Sequence, residues 1–380
     1  MRWDSRAFDL LRSIVRPRPD LDRAREILEE GVDIGVLFSL ATRHAVRPRL
    51  AVLLSMGLDA PSDRALRDLL GGFERSHVTR SLAMVDELVR VSEAFAAASI
   101  PVVAFKGPVL ALQLYDGLAH REYADIDLLV PPDRAEAAQA MLAALGYRCP
   151  QGDRAFVRAF LRSQRQVALE RPGFEAAIDL HWAFSNAALP FPLDPRDAWS
   201  RLDTIAIGGH AVPTLAPEDL ALLLAGHGTK EAWHTLAWVA DFARMIDRHP
   251  HLDWAAVLAR ARGQRCGDAV LLGAAMARQV LGTATPPALA APLAASRRVA
   301  DLADRQAARL QADAATHGRR ENLHDLLLCD RAVDRLWARV RISLTPGPGD
   351  YRANPLPRAL WPLYWLSRPV RLAIRALRRR

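Results

Sequence analysis

The chain has 380 residues, 51% of them hydrophobic and 25% charged, a balance that excludes a disordered or collagen-like protein and leaves room for two or three packed units. No run of about 18 apolar residues suits a membrane-crossing helix, and Arg2, Asp4 and Arg6 interrupt any apolar leader, so a cytoplasmic location is expected. The net charge of +8 favours an anionic partner, and the scattered Cys149, Cys266 and Cys329 suggest neither a disulfide framework nor a zinc site.

Residues 1–98 read as a helical region, with apolar positions at helical spacing from Ala7 to Ile14, from Ile34 to Leu54 and from Leu82 to Phe95. Pro17, Pro19, Pro48 and Pro61 divide it, and Asp20 and Ser62 are the expected N-caps. From residue 99 the pattern changes. A β-branched run over 100–105 ends at Lys106-Gly107, a helix follows from Pro108 to Asp116, and a second strand covers 125–130. Asp133 is expected to cap a helix reaching Leu145, and another helix is expected over 154–163. Segments 166–170 and 175–182 flank Arg171-Pro172-Gly173 and predict a hairpin that extends the same sheet. An extended piece over 204–212, turning at Gly208-Gly209, closes this 99–213 core. Residues 214–344 predict a helical domain, and 345–380 a tail rich in proline, arginine and aromatic residues.

Only two of the 51 cationic side chains are lysines, Lys106 and Lys230. An ammonium group meets a phosphate oxygen as a point charge, whereas arginine favours bidentate contacts. Lys106 stands with Gly107 where a strand opens into a helix, and the N–H groups of a helix start, beside a glycine that allows close approach, suit a phosphate. Downstream, alternation along a strand points Asp125 and Asp127 to one face and Ile126, Leu128 and Val130 to the other. Asp20-Leu21-Asp22 has the same spacing but sits at a helix start, where capping explains it. Asp179 and His181 share one face of a later strand, and Arg121 offers a further cation. Paired acids on one strand, a third on another and a cationic phosphate turn are what metal-assisted nucleotidyl transfer needs: two divalent ions about 3.5–4 Å apart can clamp a triphosphate and the attacking oxygen.

The stretch Phe105-Lys106-Gly107, Leu114-Tyr115, Arg121, Asp125 to Val130 and Leu145-Gly146-Tyr147, followed by Asp179-Leu180-His181-Trp182, resembles the uncharacterised nucleotidyltransferase family of the DNA polymerase β-like superfamily. The similarity extends to the N-terminal helices and to His227-Gly228, Lys230, Trp238 and Asp241. It implies an α+β fold, a small mixed sheet flanked by N-terminal and C-terminal helical regions. Asp125, Asp127 and Asp179 are implied as metal ligands and catalytic acids, with Lys106-Gly107 in the place of the superfamily's usual Gly-Gly/Ser turn. Two departures stand out: Pro108 lacks an N–H for phosphate, and the third acid is Asp where many relatives have Glu.

His181 is either a ligand to phosphate or metal-bound water, or a packed strand histidine. Lys230, His234, Trp238 and Asp241 recur at helical spacing on what would be one side of one helix. If that side faces the cleft, Lys230 meets polyphosphate, Trp238 stacks on a base and Asp241 orients either; otherwise the helix simply packs on the sheet. The tail is expected to pack its aromatics on the body, with contact to an anionic membrane or RNA as the alternatives. The expected reaction is Mg²⁺-dependent, with Mn²⁺ as a substitute, and moves NMP, by expectation AMP from ATP, to an acceptor with release of pyrophosphate. A tRNA, a protein side chain and a small hydroxyl compound are all open as acceptors. The alternatives are a D-x-D glycosyltransferase and a nucleotide-binding scaffold without turnover.

Overall fold

The computed structural model describes residues 5–56, 60–150, 164–311, 328–347, 350 and 353–377, so the helix expected over 154–163 and the terminal Arg378 to Arg380 lie outside the described residues. The chain opens with α1 (Ser5–Val15), α2 (Leu21–Glu29), α3 (Ile34–Arg43), α4 (Ala51–Leu54) and α5 (Ala60–Ala97). Asp20 accepts a hydrogen bond from the Arg23 N–H and Asp33 from that of Val36, so each carboxylate satisfies an otherwise orphaned donor at the start of its helix. Ser62 lies inside α5 and does not cap it. Pro61 shares the first turn, where a missing N–H leaves no helical bond unmade.

Four strands form a mixed sheet in the order β1-β2-β4-β3. β1 (Val103–Ala104) is antiparallel to β2 (Asp125–Leu129), which runs parallel to β4 (Ala177–His181); β3 (Gln166–Leu169) is antiparallel to β4. The predicted hairpin therefore does extend the sheet. β1 is shorter than its apolar run, which contains Pro101, a residue without a ladder donor. Between β1 and β2 lies α6 (Pro108–Tyr115), and after β2 a 3₁₀ turn, Pro132–Arg134, takes up Asp133 before α7 (Ala135–Ala144). After α8 (Pro195–Ala198), β5 (Leu202–Ile207) and β6 (His210–Leu215) form a ribbon of their own instead of joining the four-stranded sheet. Gly208 and Gly209 turn it with φ of +57° and +81°, a pair of left-handed residues of the kind that tight hairpins require.

Helices then follow as α9 (Pro217–Lys230), α10 (Leu236–Arg248), α11 (Trp254–Gly263), α12 (Gly267–Leu281), α13 (Pro287–Ala295), α14 (Arg297–Gln311), α15 (Ala332–Leu344) and α16 (Leu363–Leu377). Two cores hold the molecule. One joins α1–α3 to α9–α14, so helices from both sides of the sheet in sequence share one interior. The other lies under the sheet, where Ile126, Leu128, Ile178 and Leu180 are buried and each contributes about 1.5–3 kcal/mol. The long α5 spans both, with Leu66, Leu70 and Phe73 in the first and Met84, Leu88, Val91 and Phe95 in the second. Where the sequence predicts a tail, α16 is a helix that packs on α15 and contains Pro369.

Candidate active site

Because Ile126, Leu128, Ile178 and Leu180 are fixed in the core, the intervening residues of β2 and β4 must face the other way. The parallel register sets Asp127 opposite Asp179, Asp125 opposite Ala177 and Leu129 opposite His181. Asp127 is buried, with Asp125 and Asp179 partly so. Ligand atoms of Asp127, Asp179 and His181 all lie within 4.8 Å of one another, and Asp125 stands beside that group on the same strand face.

Lys106 brings its Nζ to 3.4 Å from Asp127 Oδ1, and His181 Nε2 lies 3.2 Å from the same oxygen. The Phe105 ring meets His181 edge-on, with centroids 5.2 Å apart, and the Phe105 N–H donates to the Asp127 carbonyl. Gly107 is required by its surroundings: at φ +56°, an added Cβ would stand 2.6 Å from the Asp125 carbonyl oxygen. That close approach presses the turn against β2. No side chain caps the start of α6 that follows, and Pro108 occupies its first turn.

Electrostatics separate the three acids. Burial and the neighbouring Asp127 charge push the Asp125 carboxyl up to about 6, with Lys106 opposing them. Burial acts upward on Asp127 too, but Lys106 and the His181 hydrogen bond outweigh it and hold this carboxyl below the usual range. Asp179 is raised by burial and then by Asp127. Three carboxylates thus share one adjacent ammonium and one imidazole, an excess of negative charge at a buried edge.

Lys230 pairs with Glu231 at 3.7 Å and acts on Asp179 less strongly than Lys106 does. The shared helix face expected for Lys230, His234, Trp238 and Asp241 does not exist. α9 ends at Lys230, residues 231–235 form a break containing His234, and Trp238 and Asp241 belong to α10. Burial of Trp233 accounts for the break. Ala232 and Trp233 turn at φ +54° and +51°, and the Trp233 indole packs so closely on Gly228 that a Cβ there would meet it at 2.5 Å. Gly226 likewise admits Phe191, so these glycines lie within α9 as seats for aromatic rings.

Arg121 and Asp241 meet each other rather than the acids. Arg121 donates through Nε and Nη2 to the two Asp241 oxygens at 3.0 and 2.9 Å, and the Tyr115 hydroxyl adds a bond of 2.7 Å. Burial lowers and Asp241 raises the Arg121 pKa, with a net rise. Trp238 is partly exposed, met edge-on by His227 at 5.2 Å and by His234 at 4.4 Å. His227, which sequence reasoning left out, lies among Lys106, Lys230 and Asp127; burial and the two lysines push its pKa well down. Gly226 and Gly228 on either side of it weaken the helical signal at that position.

A family model described as uncharacterised nucleotidyltransferase matches residues 30–282, a span that contains every residue named in this subsection. No curated protein matches the chain. Among solved structures, the solution structure of the antibiotic-resistance factor ANT(2'')-Ia is similar over 49% of this chain and 92% of its own, at 15% identity and a TM-score of 0.35. Since the family model spans well over half of the sequence, the protein belongs to this nucleotidyltransferase family.

Proposed function

We propose that the chain is a Mg²⁺-dependent enzyme that transfers NMP, taken as AMP, from an NTP to a hydroxyl acceptor and releases pyrophosphate. The observation that carries this reading is the register of Asp127 beside Asp179, with Lys106 at 3.4 Å. Hard carboxylate oxygens at a buried edge with surplus negative charge suit Mg²⁺, and Mn²⁺ in its place. Asp125, Asp127 and Asp179 would hold two such ions, with His181 near enough to ligate or to orient Asp127. When bound, the metal neutralises triphosphate charge and polarises the α-phosphorus.

The remaining steps belong to the chain's own side chains. Lys106 places a point charge on the polyphosphate, and the Val109 and Leu110 N–H groups at the uncapped start of α6 supply phosphate donors. The ammonium of Lys106 stands in for the N–H that Pro108 lacks. Lys230, whose charge is felt at Asp179, adds a second cation. The acceptor oxygen forms its bond to the α-phosphorus as the bond to the pyrophosphate oxygen breaks. Its proton passes to Asp179, the acid that stands opposite Asp127 on β4. Arg121 and Asp241 keep the end of α6 against α10 and so act through position.

Membership of a nucleotidyltransferase family weighs against the glycosyltransferase alternative. Incubation with each α-labelled NTP, Mg²⁺ and a cell extract tests the proposal: label enters an acceptor with the parent and not with Asp127→Ala. Binding of Mg²⁺-NTP without labelling from any nucleotide would support the scaffold instead.

A further inference from the structure

Amphipathic helices in this molecule turn their apolar sides inward, as α1, α10 and α14 do, but α15 and α16 do the reverse. On α15, Val333, Leu336, Trp337, Val340 and Leu344 recur at spacings of three and four, and all are exposed. On α16, Leu363, Leu366, Val370 and Ile374 do the same, with Leu366 72% and Val370 59% exposed. The two helices pack on one another, so two apolar stripes that no described residue covers belong to one element.

The outward orientation of α16 is built in. Asp350 is buried and takes Arg368 Nη1 at 2.6 Å and Arg371 Nε at 2.7 Å, while its Oδ2 also accepts from the Gly347 N–H. Arg368 reaches on to the Ile342 carbonyl of α15. The Tyr364 hydroxyl accepts from the Leu356 N–H and donates to the Asn354 carbonyl. With its polar edge tied to residues 342–356 at these points, the helix turns its apolar stripe outward. Exposing it to water forgoes about 25 cal/mol for every Å² that a partner would cover.

Charge identifies the partner. Residues 331–380 hold twelve arginines and two aspartates, a net +10, whereas residues 1–330 are net −2. Both acids are already paired, Asp334 with Arg265 and Asp350 with Arg368 and Arg371. Arg339 and Arg341 are exposed on either flank of the α15 stripe, where long cationic stems can reach upward while the apolar row sinks. A second copy of the chain would bring +10 against +10. RNA could use the arginines and the indoles, but it would leave the aliphatic rows of Leu336, Val340, Leu366 and Val370 in water. Apolar residues edged by arginine, with Trp337 exposed among them, match an interface of headgroups over acyl chains. No described helix is long and apolar enough to cross a membrane, so the contact is peripheral.

We propose that the helix pair Ala332–Leu344 and Leu363–Leu377 docks the enzyme on the surface of an anionic lipid bilayer. The element lies beyond residues 30–282 matched by the family model, so this inference stands apart from the chemistry of the acids. The test is co-sedimentation of the full chain with vesicles of phosphatidylglycerol and phosphatidylcholine, against vesicles of phosphatidylcholine alone. The expected result is binding to the first and not the second, with a blue shift in tryptophan emission. Leu366→Glu with Val370→Glu should lower the bound fraction about tenfold or more with an unchanged melting temperature. Arg339→Glu with Arg341→Glu should lower it too and weaken its dependence on salt. Equal binding to both vesicles would overturn the proposal, and so would binding indifferent to all four substitutions. Absence of binding would overturn it as well, and a dimer in light scattering that Leu366→Glu separates would assign the face to a second copy.

Discussion

Two buried charge networks lie near one another in this protein, and they differ in how they balance. At the α6–α10 contact, one guanidinium meets one carboxylate through two hydrogen bonds, a tyrosine hydroxyl supplies a third, and the charges cancel. At the β2–β4 edge, three carboxylates share Lys106 and His181, both of which converge on one oxygen of Asp127. Burial of charge is common to both and therefore marks neither as functional. The surplus does: a closed pair holds structure, whereas an unbalanced set leaves ligating capacity for cations that arrive from outside.

Substitutions can break that contrast, and the largest effect is expected at Asp127. Asp127→Asn should reduce nucleotidyl transfer by about a thousandfold or more while the protein stays folded, as labelled-product assays and a melting curve would show. Asp241→Ala should do the opposite. It strands the buried Arg121, and the expected loss is about 3–5 kcal/mol of stability by denaturant unfolding.

Asp125 sharpens the comparison through pH. Its carboxyl is raised to about 6 in the fold, so its protonated form favours the folded state. That stabilisation is complete below about pH 4 and lost as pH rises through about 6. Asp125→Asn stays neutral throughout, and in metal-free buffer it should be more stable than the parent above pH 6, by up to about 3 kcal/mol. The gap should close below pH 4, and divalent ions should narrow it at pH 7 by stabilising the parent. A pH series of melting temperatures with and without Mg²⁺ checks all three statements.

Smaller again is the effect expected of Lys106→Arg. A planar fork replaces a point charge at a turn already crowded by Gly107 against the Asp125 carbonyl, and NTP affinity should fall about tenfold or less by calorimetry. Unchanged affinity would make that lysine incidental.

Much of the acid edge could be read from the sequence, because period-two alternation in Asp125 to Leu129 and Ala177 to His181 sets faces without help from the rest of the chain. Which acid stands opposite which is a matter of strand register, and only the packed Ile126, Leu128, Ile178 and Leu180 decide it. The break at 231–235 was illegible for a related reason. Helical spacing ran straight through it, and the burial of Trp233 on Gly228, a tertiary contact, overrode the local pattern. Arg121 and Asp241 are 120 residues apart, and nothing in either neighbourhood announces their pairing. The C-terminal end was legible only in part. Proline, arginine and aromatic residues suggested a packed tail, whereas Asp350 draws Arg368 and Arg371 inward and leaves the apolar side of α16 in water.

The claim on which this account rests is that the acids of β2 and β4 jointly hold divalent ions. Titration of Mn²⁺ into the parent, Asp127→Asn, Asp179→Asn and Asp241→Asn, followed by electron paramagnetic resonance of the free ion, measures it without any knowledge of the acceptor. The account predicts that binding is lost in the first two variants and kept in every Asp241→Asn molecule that remains folded. Mn²⁺ affinity equal to the parent's in both Asp127→Asn and Asp179→Asn would contradict it.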